Sequence, residues 1–194
     1  MYHRPAPVPL RLTPDEIEAR PRRAPRRAAP VRGRAAAVLV PLVERAGETC
    51  VVLTKRASSL RKHAGQYAFP GGRRDEGDRD AVATALREAE EEVGLAPADV
   101  RVLGLLDDYL TTSGYLVTPV VGAAPHPYDW RPSPDEVERV VVLPLEAFVT
   151  PQRARTLLFE GFRRIVMAFD VEGHFVWGAT ASMLRDLARR LREP

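Results

Sequence analysis

The sequence predicts an α/β layer sandwich built on a mixed sheet, and two observations carry that prediction. Short apolar, β-rich runs recur along the chain from residue 35 to residue 169, with turn residues between them. Two helical patterns interrupt and close that series, one over Ala81–Val93 and one over residues 180–192, giving the order ββ-β-α-ββ-β-β-α. No internal repeat is visible.

Each element has its own warrant. Thr13-Pro14-Asp15-Glu16 reads as a helix start, with Thr13 as N-cap, Pro14 at the first helical position and Glu16 completing a capping box. That helix must end near Pro21. Residues 35–43 are nearly all apolar and residues 49–54 are β-rich, so the polar stretch between them, with Gly47, predicts a hairpin. A polar stretch then leads to Tyr67-Ala68-Phe69, a short strand stopped by Pro70-Gly71-Gly72, and residues 73–80 read as a charged loop. Asp78 and Asp80 are the cap candidates of the helix over Ala81–Val93, and Gly94 supplies its C′ glycine. Strands are expected over residues 102–108, 116–122, 137–142 and 163–169, with one helical turn over 144–148. In the last helix, apolar residues at 183, 184, 187, 188 and 191 form one stripe.

Composition narrows the class. At 194 residues, 45% hydrophobic and 28% charged, the chain is an ordinary globular protein with enough length for a sizeable core. No apolar run approaches the roughly 18 residues that span a bilayer, and the N-terminus lacks a secretory apolar region. Cys50 is the only cysteine and lies in an apolar run, so it reads as a core residue; a cytoplasmic location is expected. The net charge of +3 is uneven. Arginines crowd residues 20–34 around Pro21, Pro25 and Pro30 without one acidic residue. Residues 1–33 are therefore expected to be a basic arm, and residues 34–194 the domain. No aromatic residue interleaves with those arginines, so the stacking half of a nucleic-acid site is missing and nucleic acid is not an expected partner.

The chemistry concentrates in two stretches. Glu88, Glu91 and Glu92 stand at i, i+3 and i+4, which puts three carboxylates on one helix face, where they repel unless a cation sits among them. The glycine turn Phe69-Pro70-Gly71-Gly72 precedes that helix and can bring backbone carbonyls to the same ion. Mg²⁺ or Mn²⁺ is the expected cofactor, because hard divalent ions take oxygen ligands and work on phosphoanhydrides.

Gly72, Arg87-Glu88, Glu91-Glu92 and Gly94-Leu95 resemble the Nudix box, G-x5-E-x7-R-E-U-x-E-E-x-G-U. The glutamate expected after Gly72 is Asp78, one residue more than usual separates it from Arg87, and Ala89 is small at position U. Those departures resemble the coenzyme A pyrophosphatase branch of the Nudix hydrolases. Residues 53–72 match that branch's signature, L-T-x-R-[SA]-x3-R-x3-G-x3-F-P-G-G, at every specified position. Two more segments are similar to the branch, residues 113–122 and Trp177-Gly178-Ala179-Thr180-Ala181.

The resemblance implies the Nudix fold, an α/β/α sandwich with a mixed β-sheet, and metal-dependent hydrolysis of the coenzyme A pyrophosphate to 3′,5′-ADP and 4′-phosphopantetheine. It implies Glu88 and Glu92 as principal metal ligands, Glu91 directly or through water, and the Gly72 carbonyl beside them. Arg87 is implied to hold a carboxylate in register, and Glu136, near a late strand, is a candidate general base. Arg56, Arg61 and His63, with the Gly71-Gly72 turn, are the candidate substrate contacts, since an arginine fork suits phosphate oxygens. Lys55 and Lys62 offer further charge. Asp78 is weighed as a cap or a metal-linked group, and Trp177 as a core residue. The alternatives are a broader pyrophosphatase acting on ADP-ribose, NADH or dinucleotides, and a Nudix-fold binding module without turnover. A homodimer is compatible with the sequence.

Overall fold

The computed structural model describes residues 11–19, 33–60, 63–148, 154–159 and 162–192. Its first helix, α1 (Pro14–Ala19), carries the expected capping box. The Thr13 N–H donates to Glu16 Oε2 at 2.8 Å, and the Glu16 N–H donates to Thr13 Oγ1 at 3.2 Å. Ile17 enters the main core, and Arg101 pairs with Asp15 and Glu18 at 2.6 and 2.7 Å. This part of the segment assigned to an arm is thus packed on the domain. The arginines at 20–32 lie outside the described residues.

The hairpin forms as β1 (Arg34–Arg45) and β2 (Glu48–Arg56) around an Ala46-Gly47 turn, both residues at positive φ. β1 is the hub of the main sheet. Its whole first part pairs in parallel with β7 (Tyr115–Ala123), from Arg34↔Tyr115 to Leu42↔Ala123. On its other edge it pairs with β4 (Gly71–Arg73) at 36–38, then with β2 from Leu42 onward. β3 (Tyr67–Ala68) and β8 (Val137–Pro144) add to β2, and β5 (Arg101–Leu105) and β6 (Tyr109–Leu110) add to β7. The turn that was expected to end a strand at Pro70 is itself strand, because glycines at 71 and 72 let its backbone lie against β1. A Cβ on Gly71 would sit 2.5 Å from the Ala37 carbonyl oxygen and 2.6 Å from Val38 Cα.

Alternation along β1 and β2 sends side chains to two faces. Ala37 and Leu39 join Val120 under α2 (Ala81–Val93), against Ala85, Ala89 and Val93. Val40, Leu42, Val51 and Leu53 face the other way, towards Phe148, Phe169, Val176 and the Leu184, Leu187 and Leu191 stripe of α3 (Gly178–Arg192). The result is an α/β/α sandwich on a mixed sheet. Its second outer layer is shared between α3 and a three-stranded sheet of β9 (Ala154–Phe159), β10 (Phe162–Val171) and β11 (His174–Trp177). Of these strands only β10 was expected. Cys50 is fully buried beside Val43 and Val52, as an apolar residue should be.

Candidate active site

α2 is held at both ends. Asp80 is its N-cap, accepting from the Ala83 N–H at 2.8 Å, and Gly94 closes it in the left-handed region at φ 69°. Asp78 is therefore not the cap. It lies buried and receives Arg87 through two bonds, Nε to Oδ1 at 3.2 Å and Nη2 to Oδ2 at 3.0 Å. The Asp75 N–H adds a third bond at 2.9 Å. These contacts, Arg87 first, hold the Asp78 carboxyl well below the usual carboxylate range. Fixed this way, Arg87 reaches Glu88 Oε1 at 3.0 Å, Glu91 Oε2 at 3.0 Å and the Arg73 carbonyl at 3.1 Å. Arg87 thus joins Asp78 to two of the three helix carboxylates, Glu88 and Glu91.

Glu88 and Glu92 flank the Gly71-Gly72 turn. A Cβ on Gly72 would overlap the Glu88 carboxylate, so only glycine leaves that carboxylate its place. Glu92 is 4% exposed. Burial pushes its carboxyl up to about 8, and the negative charge of Glu136 and then Glu88 adds to this; Arg56 and the Gly71 N–H oppose it. Glu136 comes close because residues 131–136 are tied to the end of α2, the Arg131 N–H donating to Val93 and the Ser133 N–H to Glu92 at 2.9 and 2.8 Å. Glu88 is likewise raised by burial, against the pull of Arg87.

Can these residues take a hard divalent cation? Their donor atoms are all oxygen, the carboxylates cost free energy to ionise together, and Gly72 clears space beside Glu88. The set fits in chemistry. Among the described residues, no three His, Cys, Asp or Glu side chains already converge to hold an ion, and Glu91 is drawn to Arg87 instead.

On the opposite face, the Gly71 turn opens into a cavity of about 470 Å³. Phe69, Tyr109, Met183 and Trp177 give it apolar walls, and Thr111–Ser113, Thr180 and Ser182 give it hydroxyls. Arg56 stands where cavity and carboxylates meet, and its Nε is buried without a partner. His63 lines the cavity and also bonds Gln66 Oε1 at 3.0 Å. Arg61 and Lys62 lie outside the described residues. Lys55 is spent elsewhere, on Glu138 at 2.7 Å across β2 and β8. Trp177, read as core, is only partly buried and lines the cavity. The hydroxyl hairpin at 111–113 carried no signal of its own in the sequence beyond Ser113, at the edge of a matched segment.

A glycine turn, an arginine–aspartate pair and a carboxylate-bearing helix stand beside one cavity, and comparison with known proteins names the family that carries them. The model of the NUDIX domain matches residues 33–165. The uncharacterized Nudix hydrolase NudL of Escherichia coli K12 is 45% identical over 160 residues, 81% of this chain and 83% of that protein. Its counterpart in Shigella flexneri is 44% identical over 164 residues, 84% and 85% of the two chains. Among solved structures, the M. smegmatis Nudix hydrolase RenU is 26% identical with a TM-score of 0.47, covering 60% of this chain and 74% of its own. The C. elegans Ap4A hydrolase binary complex is 24% identical with a TM-score of 0.48, covering 58% and 80%. The chain belongs to the Nudix family and is a Nudix hydrolase, an enzyme that acts on a pyrophosphate substrate. Nudix hydrolases generally use divalent metal ions. No helix among the described residues is long and apolar enough to cross a membrane.

Proposed function

We propose that the enzyme hydrolyses the pyrophosphate bond of coenzyme A or its derivatives, giving 3′,5′-ADP and 4′-phosphopantetheine. The observation that carries this reading is a convergence. The signature over residues 53–72 supplies Arg56, Phe69 and Gly71 to the cavity, and the two other matched segments supply Ser113, Val117 and residues 177–180 to the same walls. Three stretches far apart in sequence thus meet at one cavity beside the carboxylates. A mostly apolar cavity with scattered hydroxyls suits a flexible chain of amides and methylenes better than it suits a second charged group.

Glu88 and Glu92, with Glu91 directly or through water and the Gly72 carbonyl, are the residues that would hold Mg²⁺ or Mn²⁺. Such an ion polarises phosphoryl oxygens and lowers the pKa of bound water. Arg87, locked by Asp78, keeps Glu88 in register. Arg56 supplies fixed positive charge to the diphosphate at the cavity's inner end, where its unpartnered Nε awaits an oxygen acceptor. Glu136 carries the proton released by the attacking water on its carboxylate. The cleavage then proceeds by in-line displacement at phosphorus.

A product assay on coenzyme A, dephospho-coenzyme A, ADP-ribose and NADH, each with Mg²⁺ and with Mn²⁺, tests the reading. Preferential turnover of the coenzyme A substrates is expected. Faster turnover of ADP-ribose or NADH would replace the reading with the broader pyrophosphatase.

A further inference from the structure

We infer that Arg34 and Arg73, gathered on the ring of Tyr115, form an anion site for a phosphomonoester that the substrate carries away from its scissile anhydride. The inference rests on the coenzyme A reading, since coenzyme A bears such a phosphate on its ribose.

The Arg34 guanidinium carbon lies 4.2 Å from the Tyr115 ring centroid, and that of Arg73 lies 5.5 Å from the same centroid. Sheet register explains the meeting. Arg34 sits beside Tyr115 on the parallel β1–β7 pair, and Arg73 sits opposite Ala36, two residues along β1. Along β4 the side chains alternate, so Gly72 faces Glu88 on α2 and Arg73 faces the other way, to the cavity side. Arg34 Nη2 is anchored on the Ser113 carbonyl at 3.1 Å, and Ser113 itself lines the cavity. The pair therefore lies on the cavity side of the sheet, tied through Arg34 to the lining residue Ser113, and Arg73 is one residue from the turn that packs on Glu88.

Two guanidiniums drawn to one ring repel each other, and among the described residues neither has a carboxylate beside it, whereas Lys55, Arg87, Arg101 and Arg190 all do. A flat ring holds both forks in place while only Arg34 Nη2 is engaged, on the Ser113 carbonyl, so other N–H groups of the pair can meet an anion, which is the preorganised arrangement a doubly charged phosphate exploits. Arg56 lines the cavity itself and lies near Glu92, and so is placed for the anhydride rather than for a peripheral phosphate. This division gives a role to Arg34, the last member of the basic stretch, and to Arg73, which no motif had singled out.

The test is calorimetric titration of the whole chain with 3′,5′-ADP and with 5′-AMP, in wild type and in the double variant Arg34→Gln/Arg73→Gln. Wild type is expected to prefer 3′,5′-ADP by roughly tenfold or more, the size of a charge-assisted contact, and the double variant to lose that preference while keeping its affinity for 5′-AMP. Absence of the preference in wild type, or its survival in the double variant, overturns the site. Titration needs no turnover, so its failure is separate from that of the coenzyme A reading, which would show as wild-type enzyme that leaves coenzyme A uncut.

Discussion

The two faces of the Gly71-Gly72 turn are built on different principles. Towards α2 lie formal charges in fixed pairs, with Asp78, Arg87, Glu88 and Glu91 joined by bonds of 3.0 to 3.2 Å. Towards the cavity lie hydroxyls and apolar walls, with Arg56 and His63 as the only basic lining residues among the described ones. The first face tolerates little change, because removing one partner strands the other's charge. The second can adjust, since hydroxyls rotate and methionine repacks. The proposed function thus puts chemistry on the rigid face and substrate selection on the adaptable one.

The sharpest way to break this contrast is Glu92→Gln. It keeps volume and removes a charge from the metal face, so turnover should fall by about 10²–10³ while the thermal transition stays in place or rises. Near-normal turnover at saturating Mg²⁺ would refute the site. Next comes Asp78→Asn, which reaches Glu88 and Glu91 only through Arg87. Loosening Arg87 should lower kcat/KM by roughly 10–100-fold, with an increased Mg²⁺ requirement, and Arg87→Lys should behave similarly because it cannot bond Asp78 bidentately.

The cavity face should respond more gently. Ala179→Leu narrows the cavity, and the expected result is a KM for coenzyme A raised up to about tenfold with kcat little changed. An equal fall in kcat would mean that the two faces are not independent. The smallest effect is on acid stability. Asp78 is held below its ordinary range, so its stabilisation is complete above the unfolded value near ~4 and is lost as pH falls through the lower, folded value. The thermal stability gap between wild type and Asp78→Asn should therefore be widest near neutral pH and narrow below about pH 4. A gap that stayed constant would place the stabilisation in packing instead of charge.

What the sequence disclosed follows the same division. Covalent spacing reveals a helix face, so Glu88, Glu91, Glu92 and Arg87 were legible, as were the caps at Thr13 and Gly94. Asp78 was legible only as a deviation, since a cap and an arginine partner look alike until Asp80 is seen capping α2. The wall residues were harder. Tyr109, Met183 and Trp177 look like core by composition, and only the fold leaves a space between them. The Arg34–Tyr115–Arg73 group arises from a parallel pairing between strands 81 positions apart in Arg34↔Tyr115, which no local pattern encodes. β9 and β11 were missed because the outer layer has no counterpart in the periodicity of the first sheet.

Because β4 is zipped onto β1, and β1 also carries β2 and β7, the Gly71-Gly72 turn shares its hydrogen bonds with the strand at the centre of the main sheet. Fraying there would require dismantling the sheet, so catalysis has no separate melting point of its own. Urea titrations followed by activity and by tryptophan fluorescence should trace one curve, and amides of β1 and β4 should exchange with solvent only at the rate of whole-molecule opening.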